Sequence, residues 1–543
     1  MIRELKQDQL AALEAIQEGN GGLIIVGVGG GKAGVALLAG AVLEAKCALI
    51  LTPASTVTQL QVTLAVWRQH FDLPQTRILS YSALSGARTS DQKPILDEIL
   101  SGFEDHEIVI VADECHSLKD FTAARTKRIA RFFEEHQNAR FVGLSGTITR
   151  KSIKDFAHLA DWALRKQSPV PRNSIDLNNW STCLDVDGQP GPLDWASFGV
   201  TLPDRGKQEA ARLWFRDRLA TAPGIHTSTQ TSVDCSLTII PIKSVKIPPD
   251  LKELIKIAEV EGVDYDGVPF PDQISRWRAL KELSTGFIYR WAWPLGCPYC
   301  GCLVGSRAWR SPCGSGADHK EPDRVPDEPW LNARSAWASA VRRELETRSA
   351  HGYDSESLVR LAAITGTAPH LKRIWEAWEA ESAKPDPPIE TVWIDYYLIE
   401  DAVKRGRSSK DPIILWYESK AVGSALARAG LTVYGAGNNP PVGVEAHTCA
   451  MSIAAQGTGL NLQRWSKNLV IEPPSGGATW EQMLGRTHRS GQDQDDVEVY
   501  VYAHARSFRE AFRSARLDAR YIEDSTGNVQ RLNIASGDFE RDL

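Results

Sequence analysis

Short apolar runs alternate with segments of helical periodicity in two separate parts of the chain. The first part extends from Gly22 to about Ser145, and the same alternation returns from about Asp411. Apolar strands that alternate with helices are typical of a parallel sheet covered by helices on both faces. The sequence therefore predicts an α/β fold with two parallel-sheet lobes.

The apolar runs predict the strands, and the stretches between them predict the domain boundaries. Strands are predicted at GLIIVG, CALILT, RILSY, EIVIVAD and RFVGLSG in the first lobe, and at DPIILWYES, LTVYG, HTCAMSIAA, KNLVIEP and VEVYVYA in the second. Between the lobes the pattern becomes irregular and rich in Trp and Pro. We expect the first lobe at residues 1–165, a helical or irregular insertion at 166–290, a zinc-binding module at 291–325, a helical linker at 326–388, the second lobe at 389–505, and a C-terminal helix and tail at 506–543.

Length, charge and cysteine use limit the class of protein. A chain of 543 residues predicts two to four domains. Because the net charge is −6, any binding of nucleic acid must depend on local basic patches. The charged start MIRELKQDQL and the lack of a long apolar run argue against a signal peptide and a membrane span. Most of the nine cysteines are scattered singly, which favours a soluble cytoplasmic protein; a monomer is favoured over an oligomer.

A glycine-rich stretch joins the first apolar run to the helical segment that follows it. Gly29, Gly30 and Gly31 immediately precede Lys32, and Ala33 comes next. Glycines let backbone N–H groups approach phosphate oxygens, and the helix N-terminus adds a positive potential. The lysine would reach the β and γ phosphates of a nucleotide. Taken alone, the glycines fit a flexible turn equally well.

Two carboxylates follow the fourth apolar run of the first lobe. Asp113 and Glu114 belong to the stretch IVIVADECH, so we expect them at the carboxyl edge of the sheet, where α/β proteins bind ligands. Asp113 can hold Mg²⁺ through water, and Glu114 can polarise an attacking water. The alternative is an acidic surface turn, which the preceding apolar residues disfavour.

Two arginines provide a third element in the second lobe. The stretch QMLGRTHRSGQ places Arg486 and Arg489 three residues apart, and we expect both on one face of a helix. A guanidinium opposite a transferring phosphoryl group stabilises its developing charge. Arginines on a helix usually belong to a solvated surface, but with the other two elements they predict an ATP site shared between the lobes.

These stretches resemble the motifs of superfamily 2 helicases. GVGGGKA, LTPAS, DECH, LSGTITR, QGTGLNLQ and QMLGRTHRSGQ occur in the order of that superfamily's motifs. The last two are similar to the Swi/Snf branch, in the compact form of phage-type proteins, which would place the chain in the host cytoplasm. The middle third of the chain carries little of the resemblance. The resemblance implies two RecA-like lobes, ATP in the cleft between them, and movement along nucleic acid coupled to hydrolysis.

The resemblance also implies roles for individual residues. In the ATP site it implies that Gln9 contacts adenine, that Gly29, Gly31 and Lys32 contact the phosphates, and that Asp113 binds the magnesium ion. Glu114 would activate the water, and Gln482 would lie beside the γ-phosphate together with the arginine fingers Arg486 and Arg489. It implies that His116, Ser145 and Thr147 couple this site to nucleic acid. Small loop residues would contact phosphates of the nucleic acid: Thr52, Ser55, Tyr81, Gly457 and Thr458.

The main departure from the family is Ala33, because a Ser or Thr hydroxyl normally holds Mg²⁺ at this position. Mg²⁺ keeps several waters in protein sites, so a further water can take the place of the hydroxyl. The loss of one such contact costs about 1–3 kcal/mol. We therefore expect weakened metal binding and an ATPase that still turns over.

A cysteine cluster lies in the irregular middle of the chain. Cys297, Cys300, Cys313 and His319 form the pattern Cys-x₂-Cys-x₁₂-Cys-x₅-His, which is typical of a structural zinc site, and Cys302 could replace His319. The alternative is a set of ordinary buried cysteines. The preceding stretch RWRALKELSTGFIYRWAWP interleaves arginines with aromatic residues, which either stack on bases or form the core of a helix.

Together these features predict an ATP-dependent translocase or helicase that uses ATP, Mg²⁺ and a structural Zn²⁺. Double-stranded DNA is the favoured partner, with other nucleic-acid-processing proteins as further partners. Two alternatives remain open: a helicase acting on RNA or single strands, and an ATP-binding scaffold with little turnover. A third is the motor subunit of a restriction or defence complex, which would need a separate nuclease.

Overall fold

The chain forms two compact units. The computed structural model describes residues 5–27, 30–85, 95–149, 151–228, 233, 235–265, 267, 269–270, 272–297, 300–304, 310, 313, 319, 322–347, 352–436, 438, 447–456 and 461–537. The described residues of the larger unit, here called the sheet unit, belong to Met1–Gly86, Lys93–Pro249 and Tyr397–Leu543. Those of the smaller, inserted unit belong to Asp250–Tyr396.

The strands of both units are short. In chain order they are β1 (Gly22–Ile25), β2 (Cys47–Thr52), β3 (Gln75–Ser80), β4 (Ile108–Asp113), β5 (Arg140–Ser145), β6 (Ile225–Thr227), β7 (Ser236–Ile242), β8 (Phe287–Trp291), β9 (Leu295–Gly296), β10 (Asp323–Arg324), β11 (Ile389–Trp393), β12 (Ile413–Tyr417), β13 (Thr432–Tyr434), β14 (Thr448–Ser452), β15 (Lys467–Val470) and β16 (Asp496–Tyr502).

Helices fill most of the remaining described chain. In order they are α1 (Gln7–Gly19), α2 (Lys32–Val42), α3 (Val57–Trp67), α4 (Tyr81–Leu84), α5 (Ile95–Leu100), α6 (Ala124–Glu135), α7 (Ala157–Leu164), α8 (Ser174–Leu184), α9 (Pro192–Phe198), α10 (Lys207–Ala220), α11 (Pro249–Val260), α12 (Gln273–Thr285), α13 (Glu328–Leu345), α14 (Glu356–Thr365), α15 (Lys372–Ser382), α16 (Tyr397–Ser408), α17 (Lys420–Arg428), α18 (Ile453–Gln456), α19 (Gly477–Thr487), α20 (Arg506–Thr526) and α21 (Arg531–Ile534).

The sheet unit contains two six-stranded parallel sheets. The first has the order β3-β2-β4-β5-β1-β6, and the second has the order β13-β14-β12-β15-β16-β7. The central strands are buried on both faces, as their continuous apolar runs predict. The predicted α/β fold with two parallel sheets is confirmed, and each predicted strand is present.

Two further strands come from the segment in which the sequence showed no regular pattern. β6 joins the edge of the first sheet beside β1, and β7 joins the edge of the second sheet beside β16. β6 has only three residues, too few for a periodicity to be visible. β7 contains Pro241, which an edge strand tolerates; beyond β16 the strand makes only an isolated bridge, between Thr238 and Ser536.

The register of the first sheet brings three strand ends together. β5 lies between β4 and β1, with Leu144 paired to Asp113 and Ser145 paired to Ile25. The N–H of Val26, directly after β1, donates to the Ser145 carbonyl at 3.2 Å. Because carboxyl ends of parallel strands share one edge, the loop after β1 and the carboxylates after β4 flank Ser145.

The long helix α20 closes the second lobe. Its apolar face packs onto the core of the second sheet, with the rings of Phe512 and Trp480 5.2 Å apart. α19 approaches closely because Gly477 has no side chain: a Cβ atom there would lie 2.8 Å from the carbonyl oxygen of Ala515. The predicted C-terminal helix is present as α20, and it also packs against α10, which precedes and contacts β6 of the first sheet.

The inserted unit is built from helices and two small antiparallel pairs. β8 pairs with β11, which lies at the start of the predicted second lobe, and β9 pairs with β10. A core that includes Trp337 and Trp375 holds α13, α14 and α15 together. The aromatic stretch before the cysteines forms α12 and β8; Phe287 is fully buried, whereas Tyr289 is 37% exposed. The other three rings of the stretch, all of tryptophan, are half-buried, so only one of its rings lies fully in the core.

None of the helices in the described part of the chain combines the length and apolar character of a membrane-spanning segment.

Candidate functional site

The glycine-rich loop ends where α2 begins, at Lys32. Gly31 caps this helix in the left-handed conformation, with φ 83°. A Cβ atom at Gly31 would lie 2.6 Å from the side-chain amide of Gln9, so both the backbone conformation and the space favour glycine. The first amides of α2 are therefore presented at the carboxyl edge of the first sheet. Gly29 lies outside the described residues.

Lys32 has a buried ammonium group beside a carboxylate. Its Nζ lies 3.1 Å from Oε1 of Glu114, and both side chains are less than one-fifth exposed. Among the described residues, Nζ has no acceptor beyond this carboxylate, which can occupy only one of its three N–H donors at that oxygen. A buried cation with unused donors is suited to an anionic ligand, because such a ligand would supply the missing acceptors.

Asp113 and Glu114 stand next to each other after β4 but differ in their surroundings. Burial, together with the charge of Glu114, raises the pKa of Asp113 to about 6. Burial would also raise the pKa of Glu114, but Lys32 and His116 outweigh it and lower the pKa of that carboxyl. Glu114 is therefore ionised at neutral pH, Asp113 is the member that takes up a proton first as the pH falls, and a divalent cation at Asp113 would favour its ionised form.

Neighbouring hydroxyl groups hold the Asp113 carboxylate and its backbone. Thr52 Oγ1 donates to Asp113 Oδ2 at 3.2 Å, and the Tyr81 hydroxyl donates to the Asp113 carbonyl at 2.7 Å. Both residues were predicted to contact nucleic acid. That prediction does not fit their positions, because Thr52 is fully buried and Tyr81 is 5% exposed. Ser55 is exposed, whereas Gly457 and Thr458 lie outside the described residues.

His116 connects the carboxylates to the second lobe. Its Nδ1 lies 2.9 Å from Ser145 Oγ and 3.3 Å from Glu114 Oε2, while Nε2 lies 3.4 Å from Nε2 of Gln482 on α19. The Gln482 amide can donate to Nε2, which leaves Nδ1 as the N–H that faces the oxygens. Ser145 Oγ also accepts from the Thr147 N–H at 3.1 Å. The predicted coupling residues therefore form one connected group.

Arg486 extends this group from α19 toward the first lobe. The residue is 6% exposed, and burial lowers the pKa of its guanidinium to about 10 while the charge of Glu114 opposes that shift. The guanidinium remains cationic at neutral pH. The charge of Glu114, a first-lobe residue, thus acts on an arginine of the second lobe.

Arg489 does not share a helical face with Arg486. α19 ends at Thr487, and His488 leaves the helical conformation with its Nε2 3.0 Å from the Cys235 carbonyl. Arg489 lies beyond this end and donates to the side chain of Asn461. The predicted helical spacing is therefore wrong at this position, because the helix ends two residues early.

Gln9 and Trp67 form a wall beside the start of α2. Gln9 Nε2 donates to the Gly31 carbonyl at 2.9 Å. A Cβ atom at Gly34 would lie 2.7 Å from this nitrogen and 2.8 Å from Cη2 of Trp67, so both side chains press against the glycine. Trp67 is half-buried, and aromatic rings provide stacking surfaces for bases. Trp67 could not be singled out from the sequence, because it simply continues the apolar pattern of α3.

Ala33, which replaces the usual hydroxyl residue, is exposed at the second position of α2. Thr147 is buried, and its hydroxyl has no hydrogen-bond partner within the part of the chain that the structure describes. Gly30 precedes the helix, where a Cβ atom would collide with the Val26 side chain at 2.1 Å. Gly30, like Gly31, therefore leaves no room for a side chain.

A separate cluster of potential metal ligands lies in the inserted unit. The ligand atoms of Cys297, Cys300, Cys313 and His319 all lie within 4.8 Å of one another. The sulfurs of Cys297 and Cys313 are 3.9 Å apart, and Cys300 Sγ is 3.5 Å from His319 Nδ1. Four such ligands can hold a metal ion. Cys302 contributes its carbonyl, which accepts from the Cys297 N–H at 2.9 Å.

No protein-family model matches the chain, and no curated protein matches it. Its function must therefore be inferred from its own residues.

Proposed function

We propose that the chain is an ATP hydrolase that moves along double-stranded DNA, a translocase of the Swi/Snf-like type with two RecA-like lobes. The observation that carries this proposal is the buried group formed by Lys32, Glu114, His116, Gln482 and Arg486. Its first three members belong to the first lobe and the other two belong to α19 of the second. ATP bound by Lys32 would therefore be contacted from both lobes, which couples hydrolysis to their relative movement.

The residues of this group fit the requirements of phosphoryl transfer. The unused donors of Lys32 suit the β and γ phosphates, and Glu114 is ionised and can orient an attacking water. Arg486 would stabilise the charge that develops on the γ-phosphate. Asp113 would hold Mg²⁺ through water, since no hydroxyl is available at position 33.

Gln9 and Trp67 would contact the base of the nucleotide. The Gln9 amide can bond the edge of adenine, and the half-buried ring of Trp67 lies next to it at Gly34. In this proposal Gly29 and Gly31 face the phosphates, and Arg489 assists Arg486 from beyond the end of α19.

The proposal includes a structural zinc ion in the inserted unit. In a tetrahedral site with Zn–S bonds of about 2.3 Å, sulfur atoms are about 3.8 Å apart. The separation of 3.9 Å between Cys297 and Cys313 supports this geometry. Three thiolates and one imidazole leave no open position, so the ion would stabilise the fold of the inserted unit. The scattered single cysteines elsewhere support a cytoplasmic location.

The proposal that the protein moves along DNA depends on the order of the sequence motifs. Exposed Ser55 is a loop residue suited to a phosphate contact, and Gly457 and Thr458 would add contacts from the second lobe. Duplex DNA is preferred over RNA because the closing motifs are similar to those of the Swi/Snf branch.

Steady-state ATP hydrolysis tests the proposal. The wild type is assayed alone and with duplex DNA, single-stranded DNA or RNA, and Lys32→Ala serves as the inactive control. We expect hydrolysis that increases most with duplex DNA and disappears in the variant. Greatest stimulation by RNA or single strands would contradict the choice of track.

A second candidate is an ATP-binding scaffold with little turnover, which the exposed Ala33 favours. It predicts tight binding of ATP with no hydrolysis on any nucleic acid. The variant Ala33→Thr separates the two, because restoring the hydroxyl would create hydrolysis where the scaffold has none, whereas an active enzyme already hydrolyses ATP and would gain about 1–3 kcal/mol at most.

A further inference from the structure

A polar segment between α20 and α21 connects the two lobes inside the sheet unit. α20 ends at Thr526, Gly527 turns the chain in the left-handed conformation with φ 73°, and α21 begins at Arg531. Asn528, Gln530 and Arg531 are each 3% exposed or less. Such complete burial of a polar segment is unusual, because each buried polar group requires a partner.

Arg531 anchors the segment to α19. Its guanidinium pairs with the Glu481 carboxylate, its backbone N–H donates to Glu481 Oε2 at 2.8 Å, and its Nε donates to the His488 carbonyl at 3.1 Å. Both side chains of this ion pair are at most 4% exposed. Burial of such a pair is costly unless its hydrogen bonds are satisfied, and here they are. Glu481 directly precedes Gln482, so the anchor lies on the helix that carries the second-lobe part of the proposed ATP site.

Asn528 reaches the first lobe from this anchor. Its Nδ2 donates to the carbonyl of Gly146, and its Oδ1 lies 3.8 Å from the position that a Cβ atom would take at Gly27. Gly146 itself packs on the loop after β1: a Cβ atom there would lie 3.2 Å from Cα of Gly27 and 3.5 Å from Nζ of Lys32. The Asn528 amide therefore touches the junction between the glycine-rich loop and the stretch that contains Ser145 and Thr147.

We infer that Asn528 is a positioning residue of the proposed ATP site. Its amide, fixed to α19 through Arg531, sets the distance between the phosphate loop of the first lobe and the helix that carries Gln482 and Arg486. This inference rests on the proposed function. The segment acts on the reaction through other residues, so its removal disturbs the alignment of the two lobes while the contacts of ATP with the first lobe remain.

Kinetics of Asn528 variants test the inference. We expect Asn528→Ala and the equally sized Asn528→Asp to lower kcat about tenfold, because small misplacements of aligned groups have large effects on rate. KM for ATP should stay within about twofold, since the contacts made before the transition state are kept. Asn528→Asp controls for the cavity that Asn528→Ala leaves, because aspartate keeps the volume of the side chain but lacks the N–H that Asn528 donates to the Gly146 carbonyl.

Asn533→Ala is the matched control. Asn533 lies in the adjoining α21, and its amide donates to Glu523 Oε2 at 2.7 Å, within the same C-terminal region. We expect its kcat and KM to match the wild type. If the role of Asn528 were only structural, its variants would have a lower melting temperature, but they would keep the wild-type kcat at temperatures where they are folded.

Hydrogen exchange of the full-length chain distinguishes failure of the inference from failure of the proposed function. We expect faster amide exchange at Gly146–Ile148 in Asn528→Ala and not in Asn533→Ala. Wild-type kcat in both Asn528 variants overturns the inference and leaves the proposed function standing. A wild type that hydrolyses no ATP overturns the positioning role together with the proposed function, whatever the exchange shows.

Discussion

Glu114 has an unusual backbone conformation for a residue with a side chain. Its φ of 54° lies in the left-handed region, which costs about 1–2 kcal/mol. The conformation directs the carboxylate toward Lys32 and His116 at the end of β4. Strain of this kind persists when surrounding contacts impose it, and it concentrates at functional sites. The position of Glu114 therefore supports its proposed role with the attacking water.

Replacement of Glu114 by Gln tests this role. The amide keeps the size of the side chain but cannot take up a proton, so we expect ATP hydrolysis to fall at least about 100-fold. The dissociation constant for ATP should change little or tighten, because a negative charge near the phosphates is removed. The control is Glu44→Gln, since Glu44 is also left-handed, with φ 53°, but exposed. Equal loss of hydrolysis in both variants would contradict the assignment.

Asp185 provides a test of stability against pH. Burial raises its pKa to about 6, compared with 3.8 for the unperturbed group. Between these values the folded state binds a proton that the unfolded state releases, so the group lowers stability as pH rises through this range. We expect Asp185→Asn to raise the free energy of unfolding at pH 7.5 by about 1–3 kcal/mol and to have no such effect near pH 4.

Denaturant unfolding at both pH values measures this difference. In Asp185→Asn, the side-chain amide oxygen can still accept the hydrogen bond that the Tyr521 hydroxyl donates to Asp185. Asp204→Asn serves as the control at an exposed position, and it should be neutral at both pH values. A gain at pH 4 as large as that at pH 7.5 would show that lost charge is not the cause.

The elements of the fold were predictable where the apolar pattern was long. β2 and β4 are central strands, and their apolar runs, which lie between helical segments, indicate buried strands. β6 and β7 were missed because edge strands are short or alternate in burial. The end of α19 was misplaced because His488 is held by a carbonyl of a distant segment, which local sequence does not reveal.

The residues of the candidate site also divide into those that local sequence indicates and those that it does not. Lys32, Asp113, Glu114 and Arg486 belong to local motifs, so the sequence could indicate them. Asn528 and Trp67 could not be found in this way, because their meaning depends on packing against Gly146 and Gly34, which are far away in the chain.

Removal of the metal tests whether the cysteine cluster holds a structural zinc ion. We expect the purified chain to contain about one zinc ion, and Cys297→Ser to lose it together with thermal stability, because structural zinc contributes folding energy directly. Cys302→Ser is the matched control: its side chain lies outside the proposed ligand set, so zinc content should be retained. Elemental analysis by mass spectrometry measures both, and zinc loss in Cys302→Ser alone would replace His319 by Cys302 in the set.

At the scale of the whole molecule, the sheet unit combines two parallel sheets, and the proposed active site depends on both. The first lobe supplies Lys32 and Glu114, and the second supplies Gln482 and Arg486 through α19. Neither lobe alone contains both the proposed phosphate-binding loop and the arginine. Hydrolysis should therefore be a property of the assembled pair, which is also the arrangement that lets a chemical step move one lobe against the other.

The most direct test of this shared site is single-turnover hydrolysis of ATP by Arg486→Lys, with ATP affinity measured in parallel. Lysine keeps the charge but not the planar fork of donors, so we expect hydrolysis to fall about 1,000-fold while ATP still binds to the first lobe. Arg428→Lys, at an exposed position on α17, should behave as the wild type. If Arg486→Lys hydrolyses ATP at the wild-type rate, the second lobe does not complete the site and the account is contradicted.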